Sequence, residues 1–289
     1  MKFSGILPPI VTPFDEQGEI REDLIRREMR FCIDNGADGL SVGGSTGEGP
    51  TLRDEELARL IGIAKDYVGE DQPVICGVMR ACTRDAVRTG LAARKAGADA
   101  IMVTPTAYNV LVPNEEGMYH FYKTLSEEVR LPIILYNVIP QNTISPALFH
   151  RLVRGTEYVM GIKQSVGGIQ ALYADLLEVG DEAKVFAATD EMIFSCFALG
   201  AAGGISAILS MFPKESRAMW QCAQKGDYAG GMKIQNALYK KWMCLAGNQF
   251  PIRMKYALRV LGRDMGQCRS PITTLPEEEK RRIREAFEA

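Results

Sequence analysis

The chain has 289 residues, of which 46% are hydrophobic, so it is long enough for one large domain with a sizeable core or for two small ones. Its 34 basic and 36 acidic residues give a formal net charge of -2, which argues against the basic surface of nucleic-acid-binding or membrane-surface proteins. We therefore expect neither a nucleic acid nor a membrane among its partners.

The cysteines and histidines indicate the compartment and the kind of chemistry. Seven cysteines are scattered without a Cys-x-x-Cys pair, which favours free thiols in a reducing cytoplasm. His120 and His150 are the only histidines and are not spaced as metal ligands, so we expect no metal site. The first residues lack a long apolar core and contain Pro8, Pro9 and Pro13, unlike a signal peptide. The predicted location is the cytoplasm.

Short apolar runs alternate with longer amphipathic stretches, a pattern that is typical of repeated βα units. The eight predicted strands are Ile6–Val11, Gly39–Val42, Val74–Val78, Ala100–Thr104, Ile133–Asn137, Val159–Lys163, Val185–Ala188 and Gly204–Ala207. The helices predicted between them are Arg21–Asn35, Arg53–Val68, Thr83–Ala96, Glu115–Val129, Pro146–Val153, Ile169–Glu178 and Asp190–Leu199.

Eight such units predict an α/β fold, the (β/α)8 TIM barrel, because parallel strands must be covered by helices on right-handed crossovers. A doubly wound open sheet is the alternative. It would carry a glycine-rich phosphate-binding turn after the first strand, where this chain has Thr12-Pro13-Phe14-Asp15. Gly36, Gly97 and Gly200 stand at similar helix-to-strand joints, where we expect left-handed helix caps.

The strand signal stops after Ser210, and only helical patterns follow. We therefore predict a barrel over residues 1–212 and a C-terminal helical extension over residues 213–289, packed on the barrel. Its predicted helices are Pro213–Gly226, Asp227–Ala246, Pro251–Leu261 and Pro276–Ala289.

Lys163 is the most informative polar residue, because active sites of such barrels lie where the strands end. It closes an apolar strand, and if Ile162 faces the helices, Lys163 faces the barrel interior. Burying a charged lysine is unfavourable, whereas a neutral amine can attack a ketone to form an imine. An ion pair with Asp190 or Glu191, or a side chain that reaches solvent, is an equally weighted alternative.

Tyr136 closes the preceding strand, so its side chain should lie within reach of Lys163. A phenol beside an amine can carry protons during imine formation. Without the lysine next to it, a tyrosine that only covers the barrel mouth is the better interpretation.

Two further segments after strands carry polar side chains. The turn Gly43-Gly-Ser-Thr-Gly-Glu48 offers backbone N–H groups and hydroxyls to an anion such as a carboxylate, although glycine-rich turns of this kind are common. Asp190 and Glu191 begin a helix, where acidic residues are favourable by themselves, and they are equally suited to bind hydroxyls of a substrate.

Together these motifs resemble the pyruvate-dependent class I aldolases, the superfamily that contains dihydrodipicolinate synthase and N-acetylneuraminate lyase. The resemblance runs from Gly5 to about Ser270. It rests on Gly43-Gly-Ser-Thr-Gly-Glu48, on Val-Thr-Pro before Tyr108, on Tyr136-Asn-Val and on Gly-Ile-Lys163.

The resemblance implies a role for each matching position. Lys163 matches the Schiff-base lysine, and Tyr136 matches a proton-relaying tyrosine. Gly44, Ser45 and Thr46 match the turn that holds the pyruvate carboxylate. Further implied positions are Tyr108, at a dimer interface where it completes a neighbour's proton relay, and Ile205, packed on the pyruvate end. The resemblance also implies a homotetramer, a dimer of dimers, and no cofactor.

The branch of the superfamily is read from smaller differences. The synthases carry an Arg after Tyr-Asn-Val, whereas residues 139–143 here are Ile-Pro-Gln-Asn-Thr. The sequences around Lys163 and Thr189 look more like the neuraminate lyases, where matching residues hold the sugar-acid tail. The positions that this predicts for such a tail are Ser165, Thr189, Asp190, Glu191 and Ser206.

The expected reaction makes or breaks a carbon–carbon bond between pyruvate and an aldehyde. The favoured substrate is a sialic acid or a 2-keto-3-deoxy sugar acid. Synthesis of 4-hydroxy-tetrahydrodipicolinate from pyruvate and aspartate semialdehyde is the first alternative. A non-catalytic barrel that binds 2-oxo acids is the second.

Overall fold

The structure, a computed structural model, describes residues 3–106 and 108–288. Within these ranges the strands are β1 (Gly5–Ile6), β2 (Leu40–Val42), β3 (Val74–Val78), β4 (Ala100–Val103), β5 (Ile133–Asn137), β6 (Val159–Gln164), β7 (Lys184–Ala187) and β8 (Gly203–Gly204). They form one parallel sheet in the order β1-β8-β7-β6-β5-β4-β3-β2. Just after β1, hydrogen bonds from Ser41 N to Pro8 O and from Ile10 N to Ser41 O join its end to β2. The predicted (β/α)8 barrel is confirmed.

Helices alternate with these strands and then continue alone. The described α-helices are α1 (Glu22–Asp34), α2 (Asp54–Lys65), α3 (Thr83–Lys95), α4 (Glu115–Val129), α5 (Pro146–Gly155), α6 (Gly168–Val179), α7 (Ile193–Ala198), α8 (Ala207–Met211), α9 (Pro213–Lys225), α10 (Tyr228–Met243), α11 (Phe250–Val260) and α12 (Glu277–Glu288). None of the helices in the described ranges is long and apolar enough to cross a bilayer.

The hydrophobic core has an inner and an outer part, and β5 shows how they divide. Ile133 and Leu135 belong to the large cluster shared with the helices, whereas Ile134 and Tyr136 belong to a small separate cluster. Successive residues of a strand point to opposite faces, so the small cluster fills the barrel interior. Its buried members are Leu7, Ile75, Ala100, Met102, Ile134, Tyr136, Phe186 and Ile205.

The three glycine joints were predicted correctly. Gly36, Gly97 and Gly200 have φ of 96°, 91° and 105°, in the left-handed region that a side chain disfavours. Each therefore ends a helix and lets the chain turn into the next strand.

The first predicted strand, Ile6–Val11, was too long. Only Gly5–Ile6 pairs as a strand, and beyond it a single bridge joins Pro9 to Ser41. Pro8 and Pro9 lack the N–H groups that a continued ladder would need.

The last predicted strand, Gly204–Ala207, was shifted and too long. The strand is Gly203–Gly204, and Ala207 already belongs to α8, whose N-cap is Ser206. This helix was not predicted, because its five residues are too few for a helical period to be recognised.

Candidate functional site

Lys163 and Tyr136 meet at the centre of the barrel. They are direct partners in the register of β5 and β6, and both side chains are 4% exposed. Lys163 Nζ lies 3.9 Å from the centroid of the Tyr136 ring. Ile162, the preceding residue, belongs to the outer cluster, so alternation points Lys163 inward.

The alternative in which Lys163 is paired with Asp190 or Glu191 is not observed among the described residues. Among the described residues no carboxylate oxygen lies within the 4.0 Å of Lys163 Nζ that defines an ion pair. The amine is thus buried beside a phenol and is not neutralised by direct contact with an acid.

The glycine-rich turn brings hydroxyl groups to the same place. Ser45 Oγ and Tyr136 Oη lie 3.2 Å apart, within hydrogen-bonding distance. The turn is closed by the N–H groups of Gly47 and Gly49, which both donate to Gly44 O at 3.0 Å. Thr46, the second hydroxyl of the turn, is 4% exposed.

Close backbone packing against β3 fixes this turn. A Cβ built on Gly77 would overlap the carbonyl group of Gly43, so only glycine at position 77 lets the turn approach the strand. On the other side, Thr12 Oγ1 donates to Gly47 O at 2.8 Å. Contacts with Gly77 and Thr12, together with the hydrogen bonds within the turn, therefore determine the positions of Ser45 and Thr46.

Asp190 is buried and follows β7, on the same side of the barrel as Lys163. Its Oδ1 accepts a hydrogen bond from Ile208 N at 2.6 Å. Burial raises the pKa of the Asp190 carboxyl to about 6, although the nearby Ser206 side chain, the hydrogen bond from Ile208 N and the charge of Lys163 act in the opposite direction. The effect of the Lys163 charge on the Asp190 pKa indicates that the two side chains lie near each other.

The segment that carries Asp190 differs from the single helix predicted over Asp190–Leu199. Asp190–Met192 form a 3-10 turn, and α7 follows it. Thr189, just before the turn, is buried, and its hydroxyl has no hydrogen-bond partner among the described residues. A buried hydroxyl without a partner is a suitable contact for a bound molecule.

Glu191 is turned toward the C-terminal extension. Its Oε2 accepts a hydrogen bond from Trp242 Nε1 of α10 at 3.1 Å. Gln235 of the same helix bonds the backbone on both sides, accepting from Phe194 N and donating to Asp190 O. Helix α10 therefore holds the segment on which Asp190 lies, and Glu191 serves that attachment in this structure.

The other predicted positions lie at strand ends. Ser165 is half-buried directly after β6, and its N–H donates to Asn137 O at 3.1 Å. Ile205 is fully buried in the inner cluster, and Ser206 follows it.

Tyr108 is apart from these residues within the chain. It is 70% exposed in a turn that the N–H of Leu111 closes by donating to Tyr108 O at 2.7 Å. Val110 and Leu111 are exposed beside it. Among the described residues no hydrogen bond joins Tyr108 to Tyr136 or Lys163.

Two features that support the site were not predicted from the sequence. Asn137, at the end of β5, donates to Ile144 O and to Gln164 Oε1 and accepts from Ile144 N, at 2.9–3.0 Å. Lys255 of α11 forms a buried ion pair with Glu48 of the glycine-rich turn at 2.7 Å. Nothing local in the sequence signals a contact between positions 207 residues apart.

Two kinds of comparison reveal relatives along the whole chain. A family model described as "Dihydrodipicolinate synthetase family" matches residues 2–289. A 4-hydroxy-tetrahydrodipicolinate synthase of a Sulfurihydrogenibium species is 31% identical, covering 99% of this chain and 97% of the relative. The enzyme of that name from Enterococcus faecalis is 35% identical, with 96% of each chain covered.

Solved structures agree in fold. The crystal structure of dihydrodipicolinate synthase from Aquifex aeolicus has a TM-score of 0.91 and 31% identity, covering 99% of this chain and 97% of that one. The CdNal protein of Clostridium difficile, solved in complex with mannosamine, has a TM-score of 0.89 and 27% identity, covering 100% of this chain and 99% of that one.

Proposed function

The chain belongs to the dihydrodipicolinate synthetase family, and on this premise we propose that it forms a Schiff base between Lys163 and pyruvate. The predicted family and the predicted class of enzyme, a lyase of the class I aldolase type, are confirmed. The chain is a pyruvate-dependent aldolase of this family. Its family membership favours an enzyme over a barrel that only binds 2-oxo acids.

The observation that carries the proposal is the buried Lys163 amine beside Tyr136, with which no acid of the described residues makes direct contact. The amine attacks the keto carbon of pyruvate, and loss of water leaves an imine. Loss of a proton from the methyl carbon then gives an enamine, which attacks the carbonyl carbon of an aldehyde. Water finally hydrolyses the imine, which releases the product and restores the lysine. The protonated imine of the lysine itself accepts the electron pair of the broken C–H bond.

Tyr136 is the proposed proton carrier for these steps. Its hydroxyl lies 3.2 Å from Ser45 Oγ, and its ring lies against the Lys163 amine, so the phenol is placed to carry a proton between the reacting centre and the turn. Gly44, Ser45 and Thr46 are the proposed contacts of the pyruvate carboxylate, because backbone N–H groups and hydroxyls of a tight turn suit an anion. Ile205 is the proposed apolar wall at the pyruvate end.

For the aldehyde, the first candidate is aspartate semialdehyde, which makes the chain a 4-hydroxy-tetrahydrodipicolinate synthase. The support is the name shared by the relatives from Sulfurihydrogenibium and Enterococcus faecalis. This reverses the order expected from the sequence alone, in which sugar acids came first.

A second candidate, cleavage of a sialic acid or a 2-keto-3-deoxy sugar acid, retains one specific observation in its favour. Residues 139–143 contain no Arg for a second substrate carboxylate. Ser165, Thr189, Asp190 and Ser206 would bind the hydroxylated tail, with Thr189 contributing its unpartnered hydroxyl. Glu191 is less suited, since Trp242 already occupies one carboxylate oxygen.

A substrate panel with the purified chain distinguishes the two candidates. Consumption of pyruvate is measured with aspartate semialdehyde, and release of pyruvate is measured from N-acetylneuraminate and from keto-deoxy sugar acids. The proposal expects the first reaction to have the highest kcat/KM and Lys163→Ala to abolish all of them. A sugar acid with the highest kcat/KM makes the second candidate correct, and activity that survives Lys163→Ala refutes the Schiff base.

The remaining parts of the proposal concern assembly and location. We propose a homotetramer, built as a dimer of dimers, in which exposed Tyr108 meets a second copy and completes its proton relay. The exposed apolar neighbours of Tyr108 support such a contact. We also propose a cytoplasmic location, supported by seven free cysteines, and a C-terminal unit over residues 213–289.

A further inference from the structure

A buried ion pair joins the glycine-rich turn to the C-terminal extension. Lys255 Nζ of α11 lies 2.7 Å from Glu48 Oε1, and the two side chains are 3% and 4% exposed. Removing one partner of such a pair leaves a buried charge uncompensated, so each group depends strongly on the other.

Both ends of this contact have a further hydrogen-bond partner. The second carboxylate oxygen of Glu48 accepts a hydrogen bond from Arg269 N at 2.9 Å. Lys255 also donates to the carbonyl oxygen of Gln267. Residues that follow α11 therefore complete the hydrogen bonding of a carboxylate that belongs to the barrel.

Glu48 is itself a member of the turn that presents Ser45 and Thr46. Its N–H donates to Ser45 O at 3.2 Å, and its backbone is left-handed, with φ of 56°. A side chain other than glycine adopts this conformation only where the surroundings hold it. The contact of the Glu48 carboxylate with Lys255 is one of the surroundings that can fix this conformation.

We propose that Lys255, acting through Glu48, is a positioning residue for the pyruvate carboxylate. This inference rests on the proposed function, since it assumes that Ser45 and Thr46 bind that carboxylate. The ammonium group keeps Glu48 in place, Glu48 keeps the turn in its left-handed form, and the turn presents its hydroxyls beside Tyr136. The C-terminal extension thereby controls how tightly the barrel binds pyruvate.

A second ion pair, with a buried acid and a partly buried cation, provides a control. Arg263 lies 2.9 Å from Glu28 of α1, with side chains 15% and 2% exposed, and it also donates to the carbonyl oxygens of Ser210 and Met211. Like Lys255, it is a cation of the C-terminal extension held by one acid and by backbone carbonyls. Its acid partner lies on α1, outside the turn.

The experiment compares Lys255→Met with Arg263→Met. Borohydride trapping of the pyruvate imine is measured against pyruvate concentration in both variants. We expect Lys255→Met to raise the half-saturating pyruvate concentration about tenfold, as for the loss of one good hydrogen bond to the carboxylate. The maximal trapping rate should fall less than about threefold, since the lysine and the phenol stay in place. Arg263→Met should change neither quantity more than about twofold, although its melting temperature falls as well.

Hydrogen exchange in the absence of pyruvate provides a second measurement. Exchange in residues 43–49 should quicken about tenfold in Lys255→Met and stay near the wild-type rate in Arg263→Met. Lys255→Arg keeps the charge and should restore much of the wild-type behaviour. If Lys255→Met does not fold, Glu48→Gln, which keeps the size of the side chain, replaces it in both measurements.

The outcomes separate this inference from the proposed function. An unchanged half-saturating concentration, or an equal rise in Arg263→Met, overturns the positioning role. If the wild-type protein traps no pyruvate at all, the proposed function is wrong. The exchange rates then decide whether Lys255 holds the turn, and equal exchange in the two variants overturns that claim too.

Discussion

Replacing Tyr136 with Phe removes one oxygen atom from the centre of the site. The ring stays in the inner cluster beside Lys163, so the packing is kept. The variant loses one hydrogen bond to Ser45 and the proposed proton carrier. Loss of the hydrogen bond should lower the free energy of unfolding by about 1 kcal/mol. Loss of a general acid–base should lower kcat by about 10²- to 10⁴-fold, or roughly 3–5 kcal/mol of transition-state stabilisation.

The assay is steady-state turnover of pyruvate with the best aldehyde of the substrate panel, alongside urea unfolding. Tyr122→Phe is the control, because this buried tyrosine donates to Val103 O at 3.1 Å and lies in the outer cluster. It should lose stability by about 1–2 kcal/mol with kcat nearly unchanged. The proton-carrier role of Tyr136 is refuted if Tyr136→Phe keeps kcat within about threefold of the wild type, or if both variants lose activity equally.

Three further changes test other parts of the structure. Burial raises the pKa of Asp175 from 3.8 to about 7, so the cost of its ionised form grows as pH rises through that range. Asp175→Asn should therefore stabilise the protein by about 2 kcal/mol at pH 8 and hardly at pH 4 in urea unfolding; an equal effect at both pH values contradicts this. Asn137→Ala removes three hydrogen bonds of a buried side chain and should lower the free energy of unfolding by about 3 kcal/mol in the same assay. A decrease below about 1 kcal/mol would show that these bonds are not needed for stability. Gly77→Ala should push the carbonyl of Gly43 away and raise KM for pyruvate at least about tenfold. Gly62→Ala is the control, because a Cβ at this position meets nothing within 4 Å and should leave KM unchanged. Equal KM values in the two variants would show that the turn adapts to the added methyl group.

Much of the barrel was predictable because its strands are short apolar runs between clear boundaries. The bounds of β3 and β5 agree with the prediction, since each begins after a proline and has no proline within it. The ends of β1 and β8 were not predictable in this way, because Pro8 and Pro9 interrupt the first ladder and α8 begins only three residues after β8 ends. The ends of a strand depend on backbone hydrogen bonds to its neighbours, which a hydrophobic pattern does not predict.

The pairing of Tyr136 with Lys163 followed from strand order and alternation, both of which the sequence carries. The direction of a carboxylate at a helix start does not follow from these, so the contact of Glu191 with Trp242 was not foreseen. The Glu48–Lys255 pair joins distant positions and leaves no local signal. Such contacts depend on how the extension packs, which only the folded chain determines.

The most direct test of the central claim is mass spectrometry of the protein after borohydride reduction in the presence of pyruvate. The peptide containing Lys163 should gain the mass of one reduced pyruvate, and the Lys163→Ala variant should gain none. Reduction that leaves this peptide unmodified, or that labels another lysine such as Lys255 in its place, would contradict it.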